Sequence, residues 1–136
     1  SGTALVIDSN NNVLQESSSQ KFKRNIRTCE DGLAEKALQL QPVRFVRTST
    51  NEEEIGLIAE DVAEICPEIV TYDSDNNPYS IMYNRIAPIA LKAIQQQHER
   101  IREQDETIQM QQHYIQELYK QFASLQYEVQ QLRSMM

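Results

Sequence analysis

The last third of the chain has apolar residues at a strict seven-residue spacing. Isoleucine, phenylalanine, valine or methionine occupies position a of this heptad repeat from Ile94 to Met136, and glutamine or leucine occupies position d from Gln97 to Leu132. Residues 91–136, which we call the stalk, contain no glycine or proline. They predict one long helix whose narrow apolar seam must be covered by other helices. The expected seam residues are Ile94, Ile101, Ile108, Ile115, Leu118, Phe122, Leu125, Val129 and Leu132.

Charges beside the seam favour parallel association. In a parallel, in-register coil, position g of one chain faces position e of the next heptad of its neighbour, so Arg100 faces Asp105 and Glu128 faces Arg133. Such exposed pairs contribute at most about 1 kcal/mol, so they select orientation more than they add stability. Isoleucine at a with leucine at d favours two chains, whereas the glutamines at d and Phe122 depart from that pattern. The heptads alone leave dimer and trimer open.

Glutamine occupies position d in the N-terminal half of the stalk, at Gln97, Gln104 and Gln111. Buried glutamine layers lose apolar contact and must hydrogen-bond to one another, which predicts that this half of the coil is the weaker one. Two interpretations stay open. These layers allow that half to come apart, or they merely keep the helices in register.

The segment 18–90, which we call the head, has a mixed α+β pattern. "DGLAEKALQL" predicts a helix that Pro42 stops, and "PVRFV" alternates as a strand. "IGLIAEDVAEI" places Ile58, Val62 and Ile65 on one stripe of a second helix. "EIVTY" and "YSIMY" predict two strands of a hairpin joined by "DSDNNP".

Residues 1–17 predict a small β-hairpin, with "TALVID" and "NVLQ" as strands and "DSNNN" as the turn. A hairpin of this size cannot bury its strands alone. We therefore expect it to be the C-terminal end of a longer β structure, and we interpret Ser1 and Gly2 as a remnant of cloning. The predicted organisation is the end of a longer β structure at 1–17, a head at 18–90 and a coiled-coil stalk at 91–136.

Composition excludes several functions. Thirteen lysines and arginines against 20 aspartates and glutamates give a net charge of -7, which opposes nucleic-acid binding. No apolar run approaches the roughly 20 residues of a membrane-spanning helix, so we expect no membrane partner. Cys29 and Cys66 lack zinc-site spacing and predict reduced, structural thiols, while His98 and His113 fall outside the seam and predict solvated side chains.

Familiar enzyme and metal motifs are missing. The chain contains no GxSxG and no HExxH, and its three glycines cannot build a phosphate-binding loop. Asp73, Asp75 and Asn77 have the alternate spacing of a calcium loop, but Pro78 and Asn84 stand where glycine and glutamate are required. We therefore expect no metal and no cofactor.

The stretch "SSSQKFKRNI", from Ser17 to Ile26, is the remaining chemical candidate. Serine becomes a nucleophile when a base removes its proton, and a lysine amine is a base only when it is neutral. Burial or neighbouring cations such as Lys21 and Arg24 favour that neutral form. On residue types alone, a serine linker followed by a charged edge strand is an alternative.

Four motifs in order resemble the peptidase S74 family. They are "SSSQKFKRNI", "LQLQPVRF", "IGLIAEDVAEICPEIV" and "YSIMYNRIAPIALKAIQQQ", and they extend over residues 18–97 ahead of a coiled coil. The family is the self-cleaving intramolecular chaperone at the C-terminus of phage tailspikes, endosialidases, tail fibres and neck appendages. The resemblance implies a homotrimer that assists folding of the β-rich fibre preceding it in the same polypeptide.

The resemblance also implies the site. In the family, a serine begins the released fragment and a lysine five residues later completes a Ser-Lys dyad. Here these are Ser18 and Lys23, and the scissile bond joins Ser17 to Ser18, with Ser19 in place of the usual acid. The implied setting is the host cytoplasm during virus assembly, with the fibre kept in the virion and the chaperone fragment released. The rival hypothesis is a structural trimerisation module without catalysis.

Geometry adds one requirement. Residues five apart lie on opposite faces of a strand and roughly 140° apart on a helix. A bend in the chain, or a neighbouring subunit, must therefore bring Ser18 and Lys23 together.

Overall fold

A computed structural model describes residues 4–136 of the chain, apart from the side chain of Asp31. The interpretation of Ser1 and Gly2 as a cloning remnant lies outside these residues. The described chain forms three antiparallel two-stranded hairpins and three α-helices, which confirms the predicted α+β class with a long C-terminal helix. The elements are β1 (Leu5–Ile7), β2 (Val13–Gln15), α1 (Asp31–Ala37), β3 (Val43–Arg47), β4 (Glu52–Gly56), α2 (Ala59–Ile65), β5 (Val70–Tyr72), β6 (Pro78–Ile81) and α3 (Tyr83–Ser134).

The β1–β2 and β5–β6 hairpins, both predicted from their turns, are confirmed and share one loop geometry. The Asp8 carboxylate accepts two backbone N–H groups of its loop at 2.8 and 2.9 Å, and Asn11 adopts a φ of 62°. Asp73 accepts two at 3.0 and 2.9 Å, and Asn76 has a φ of 63°. Asparagine tolerates this left-handed conformation better than most residues. The backbone hydrogen bonds, with that from Asn12 the largest cause for Asp8, lower the pKa of both carboxyl groups.

Strand β4 corrects the sequence-based prediction, which assigned Ile55 and Gly56 to the start of a helix. The chain instead pairs Glu52–Gly56 with β3, and α2 begins only at Ala59. Arg47 on β3 donates to both carboxylate oxygens of Glu54 on β4, at 2.6 and 2.7 Å. This pair raises the pKa of Arg47 and lowers the pKa of Glu54, chiefly through the hydrogen bonds. Cross-strand pairing of opposite charges thus stabilises an acidic strand that has poor intrinsic propensity.

The core of the head lies between α2, the β5–β6 hairpin and the beginning of α3. Its buried side chains are Val62, Cys66, Ile69, Val70, Ile81 and Ile89. Of the predicted α2 stripe, Val62 is buried, Ile65 is partly buried and Ile58 caps the helix with 37% of its surface exposed.

Helix α1 packs against α3, where Ala34 and Ala93 are both buried. Side chains this small allow two helices to approach closely. The helix ends at Ala37, earlier than the predicted stop at Pro42, because the chain then turns into β3.

Helix α3 begins at Tyr83, eight residues before the start expected at Leu91. The earlier start was hidden because the heptad pattern begins later and because Pro88 lies inside the helix. Pro88 removes one helical donor close to the N-terminus, where few bonds precede it. The first turn is held by Tyr83, whose hydroxyl oxygen accepts the Leu57 backbone N–H at 3.0 Å. One helix of about 78 Å therefore belongs to both head and stalk, at ~1.5 Å per residue.

The predicted seam is uncovered in the single chain. Its nine side chains are between 41% exposed, at Val129, and 65% exposed, at Ile94. No helix among residues 4–136 is long and apolar enough to cross a membrane. Because water surrounds this row of apolar side chains, the helix has a surface suited to other helices.

Candidate functional site

A single turn of 3-10 helix at Gln20–Phe22 brings Ser18 and Lys23 together. The Phe22 N–H donates to the Ser19 carbonyl at 3.1 Å, and the Lys23 N–H donates to the Gln20 carbonyl at 3.0 Å. The chain then extends at Lys23, and its Nζ reaches the Ser18 Oγ at 2.8 Å. The required bend therefore lies within one chain.

The bond between Ser17 and Ser18 lies at the start of this turn. The Ser17 Oγ accepts the backbone N–H of Ser19 at 3.3 Å, so its side chain points towards the residue beyond that bond. Both serines are exposed, as is Lys23. The predicted bond is thus open to attack and to water.

The charged side chains between residues 19 and 24 are all positive. Lys21 lies 4.9 Å from the centre of the Phe22 ring, and Arg24 follows Lys23 directly. A protonated lysine donates to a hydroxyl oxygen, whereas a neutral lysine accepts the hydroxyl proton. The 2.8 Å distance between Ser18 Oγ and Lys23 Nζ suits either direction. The turn supplies geometry for proton transfer, and a neutral amine requires removal of the surrounding water.

Ser18 also lines a groove of about 1050 Å³ between the β1–β2 hairpin and the beginning of α3. Across this groove the Asn84 Nδ2 donates to the Glu16 Oε1 at 3.3 Å. Sequence reasoning missed this contact because its partners are 68 residues apart and belong to no local pattern. Other groove residues include Cys29, Ile81 and Ile89.

Of the cysteines and histidines, one is buried in the core and three are exposed. Cys66 is buried in the core, and burial is the main cause that raises the pKa of its thiol. Cys29 is exposed in the loop before α1, so the expectation of two structural thiols is wrong for Cys29. His98 and His113 are exposed on α3, as predicted. Among the described residues, no three metal-ligating side chains form a group.

Comparison with known proteins identifies the segment that carries the turn. No curated protein matches the chain at a significant level. A family model, peptidase S74, described as chaperone of endosialidase, matches residues 18–71. The matched segment runs from the Ser18 turn into β5, and the last of the four resembling motifs lies beyond it. Residues 18–71 are therefore similar to the peptidase S74 family, the chaperones of endosialidase.

Proposed function

We propose that the chain is an intramolecular chaperone that trimerises through its stalk, assists folding of a preceding viral fibre or tailspike, and then cleaves itself between Ser17 and Ser18. The observation that carries the proposal is the 2.8 Å contact between Ser18 Oγ and Lys23 Nζ within the family segment. Cleavage takes place in the host cytoplasm during virus assembly. The fibre enters the virion, and the chaperone fragment is released.

The reaction needs one base and one water. Neutral Lys23 accepts the proton of the Ser18 hydroxyl, and the Ser18 Oγ attacks the carbonyl carbon of Ser17. The peptide C–N bond breaks, and the departing Ser18 nitrogen takes the proton from the Lys23 ammonium. Water then hydrolyses the ester between the Ser17 acyl group and the Ser18 Oγ. The products are a carboxylate at Ser17 and a new N-terminal amine at Ser18.

Assembly supplies the timing. Lys23 is exposed to water in the single chain. The seam residues are 41–65% exposed, so burying their apolar surface against other helices favours association. Packing of neighbouring subunits around the turn excludes water and favours the neutral amine. A correctly assembled trimer thereby acquires the base, and an unassembled chain keeps its fibre attached.

The role as a chaperone is supported by the position of the β1–β2 hairpin. This hairpin directly precedes the scissile bond, and its Leu5, Ile7 and Val13 are 63–70% exposed. Strands this short with exposed apolar side chains require further β structure to cover them. A trimeric stalk holds three such ends close together, which raises their effective concentration for fibre assembly.

Time-resolved mass spectrometry of protein made by cell-free synthesis tests the proposal. A fragment that begins at Ser18 is expected to accumulate as trimers form. Ser18→Ala and Lys23→Ala abolish it, and Lys23→Arg does as well, because a guanidinium does not deprotonate. Ser19→Ala is the matched control and keeps cleavage.

Two results reject the dyad. One is a fragment 18–136 that still forms at the wild-type rate with Lys23→Arg. The other is a trimeric wild-type protein that never cleaves, which favours the non-catalytic trimerisation module instead.

A further inference from the structure

We propose that Asn84 is a positioning residue for self-cleavage, because its side chain holds Glu16 and thereby fixes the segment before the scissile bond. The inference rests on the proposed cleavage between Ser17 and Ser18. It assigns a role in that reaction to a residue at the other end of the head.

Glu16 is held from two sides. Its backbone N–H donates to the Ala4 carbonyl at 2.9 Å, which ties the main chain to the β1 strand. Its carboxylate Oε1 accepts a hydrogen bond from the Asn84 Nδ2 at 3.3 Å. Only Ser17 separates this anchored residue from the nucleophile Ser18. The orientation of the Ser17 carbonyl therefore depends on few free dihedral angles once Glu16 is fixed.

Asn84 stands on a rigid support. It lies in the first turn of α3, directly after Tyr83, whose hydroxyl oxygen accepts the Leu57 N–H at 3.0 Å. Just before the helix, the Met82 N–H donates to the Ile69 carbonyl at 2.8 Å, in the core. The amide of Asn84 is consequently anchored to two parts of the head, and it can transmit that rigidity to the segment ahead of the cut.

The charge of Glu16 suits this place. The N-terminus of a helix carries a partial positive charge, and α3 is 52 residues long with no acidic residue in its first turn. The Glu16 carboxylate supplies that negative charge from another part of the chain. Glu16, Asn84 and Ser18 all line the same groove, so the anchor and the nucleophile share one surface.

Exchanging the amide and the carboxylate between positions 84 and 16 tests the role. Asn84→Ala and Glu16→Ala each remove the hydrogen bond and are expected to slow cleavage about threefold to tenfold. Asn84→Asp places two carboxylates face to face and slows cleavage at least as much. Glu16→Gln keeps an acceptor oxygen and stays within about twofold of wild type. The double variant Asn84→Asp with Glu16→Gln restores the pair with donor and acceptor exchanged, and it returns to within about twofold of the wild-type rate.

Rates are measured on the full chain as the appearance of fragment 18–136 after cell-free synthesis. Gln95→Ala on the same helix and Gln15→Ala on β2 are matched controls that keep the wild-type rate. Thermal unfolding and sedimentation of every variant in a Ser18→Ala background are expected to match the uncleaved parent. A rate loss without a loss of assembly separates positioning from a merely structural role.

The outcomes are distinct. Wild-type protein that cleaves, with Asn84→Ala at the same rate, overturns the positioning role and leaves the proposed function intact. Failure of the exchanged pair to recover, in a chain that folds and assembles, overturns it as well. Wild-type protein that does not cleave, or cleavage that survives Ser18→Ala, overturns both proposals.

Discussion

Gly56 is the position where one added methyl group is expected to disturb the junction between β4 and α3. An ideal Cβ built on Gly56 would lie 2.8 Å from the Tyr83 hydroxyl oxygen and 3.2 Å from the Phe45 Cε1. The first distance is shorter than a carbon–oxygen contact allows. In Gly56→Ala the Tyr83 ring must therefore move by several tenths of an ångström, which lengthens its 3.0 Å hydrogen bond to the Leu57 N–H.

The magnitude follows from these contacts. Overpacking of this kind costs about 1–3 kcal/mol of unfolding free energy. Tyr83→Phe removes the hydroxyl, leaves the Leu57 N–H without its acceptor, and costs about 0.5–1.5 kcal/mol. In the double variant the oxygen that meets the new methyl group is gone, and only the 3.2 Å approach to Phe45 remains. We therefore expect the double variant to lose less unfolding free energy than the two single variants lose together, by about 1 kcal/mol.

The assay is urea unfolding at one fixed chain concentration, in a Ser18→Ala background that prevents cleavage. A fixed concentration is required because association contributes to the measured free energy. Gly32→Ala is the matched control, since a Cβ at Gly32 meets no atom within 4 Å. Additive losses within about 0.5 kcal/mol would refute the reasoning, because they would show that the methyl group and the hydroxyl do not interact.

Three further predictions concern the dyad, the stalk and acid. Chains with Ser18→Ala refolded together with chains carrying Lys23→Ala are expected not to cleave, because both side chains come from one chain; mass spectrometry that finds fragment 18–136 would indicate a dyad between chains. In the proposed trimer, Gln111→Leu is expected to raise the stability of the stalk and Leu118→Gln to lower it, each by about 1–3 kcal/mol per chain. Circular dichroism measures these changes as shifts in Tm, and unchanged Tm values would mean that the seam stays uncovered. Glu54→Gln lowers the free energy of unfolding most at neutral pH, because a carboxyl group whose pKa is lowered in the folded chain stabilises the fold at pH values above its pKa in the unfolded chain. This contribution is lost as the carboxylate is protonated, so urea titrations are expected to show a smaller difference from wild type below about pH 4. A difference that does not depend on pH would contradict this.

Periodicity and turn chemistry predicted most of the structure that precedes the stalk. The loops that begin at Asp8 and Asp73 form hairpins because asparagine accepts a left-handed conformation and aspartate binds the loop amides. Strand β4 could not be predicted in this way. Its acidic sequence has low strand propensity, and its partner Arg47 contributes only once β3 is folded beside it.

The candidate site was predicted unevenly for a related reason. The resemblance to the peptidase S74 family predicted Ser18 and Lys23 as the dyad, but the turn that brings them together has no helical or strand period to signal it. Glu16 and Asn84 meet only after the head has folded around its core. Contacts between distant parts of a chain depend on tertiary structure, and a single sequence does not encode them in any local pattern.

Helix α3 runs without interruption from Tyr83 in the head to Ser134 at the end of the stalk. A continuous α-helix resists twisting about its axis, and the described chain has no flexible linker between head and stalk that would let the head rotate relative to the stalk. In the proposed trimer, the supercoil pitch of the three helices would therefore set the orientation of each head around the trimer axis. A single insertion of three or four residues in the stalk would turn the heads without changing any of their own residues.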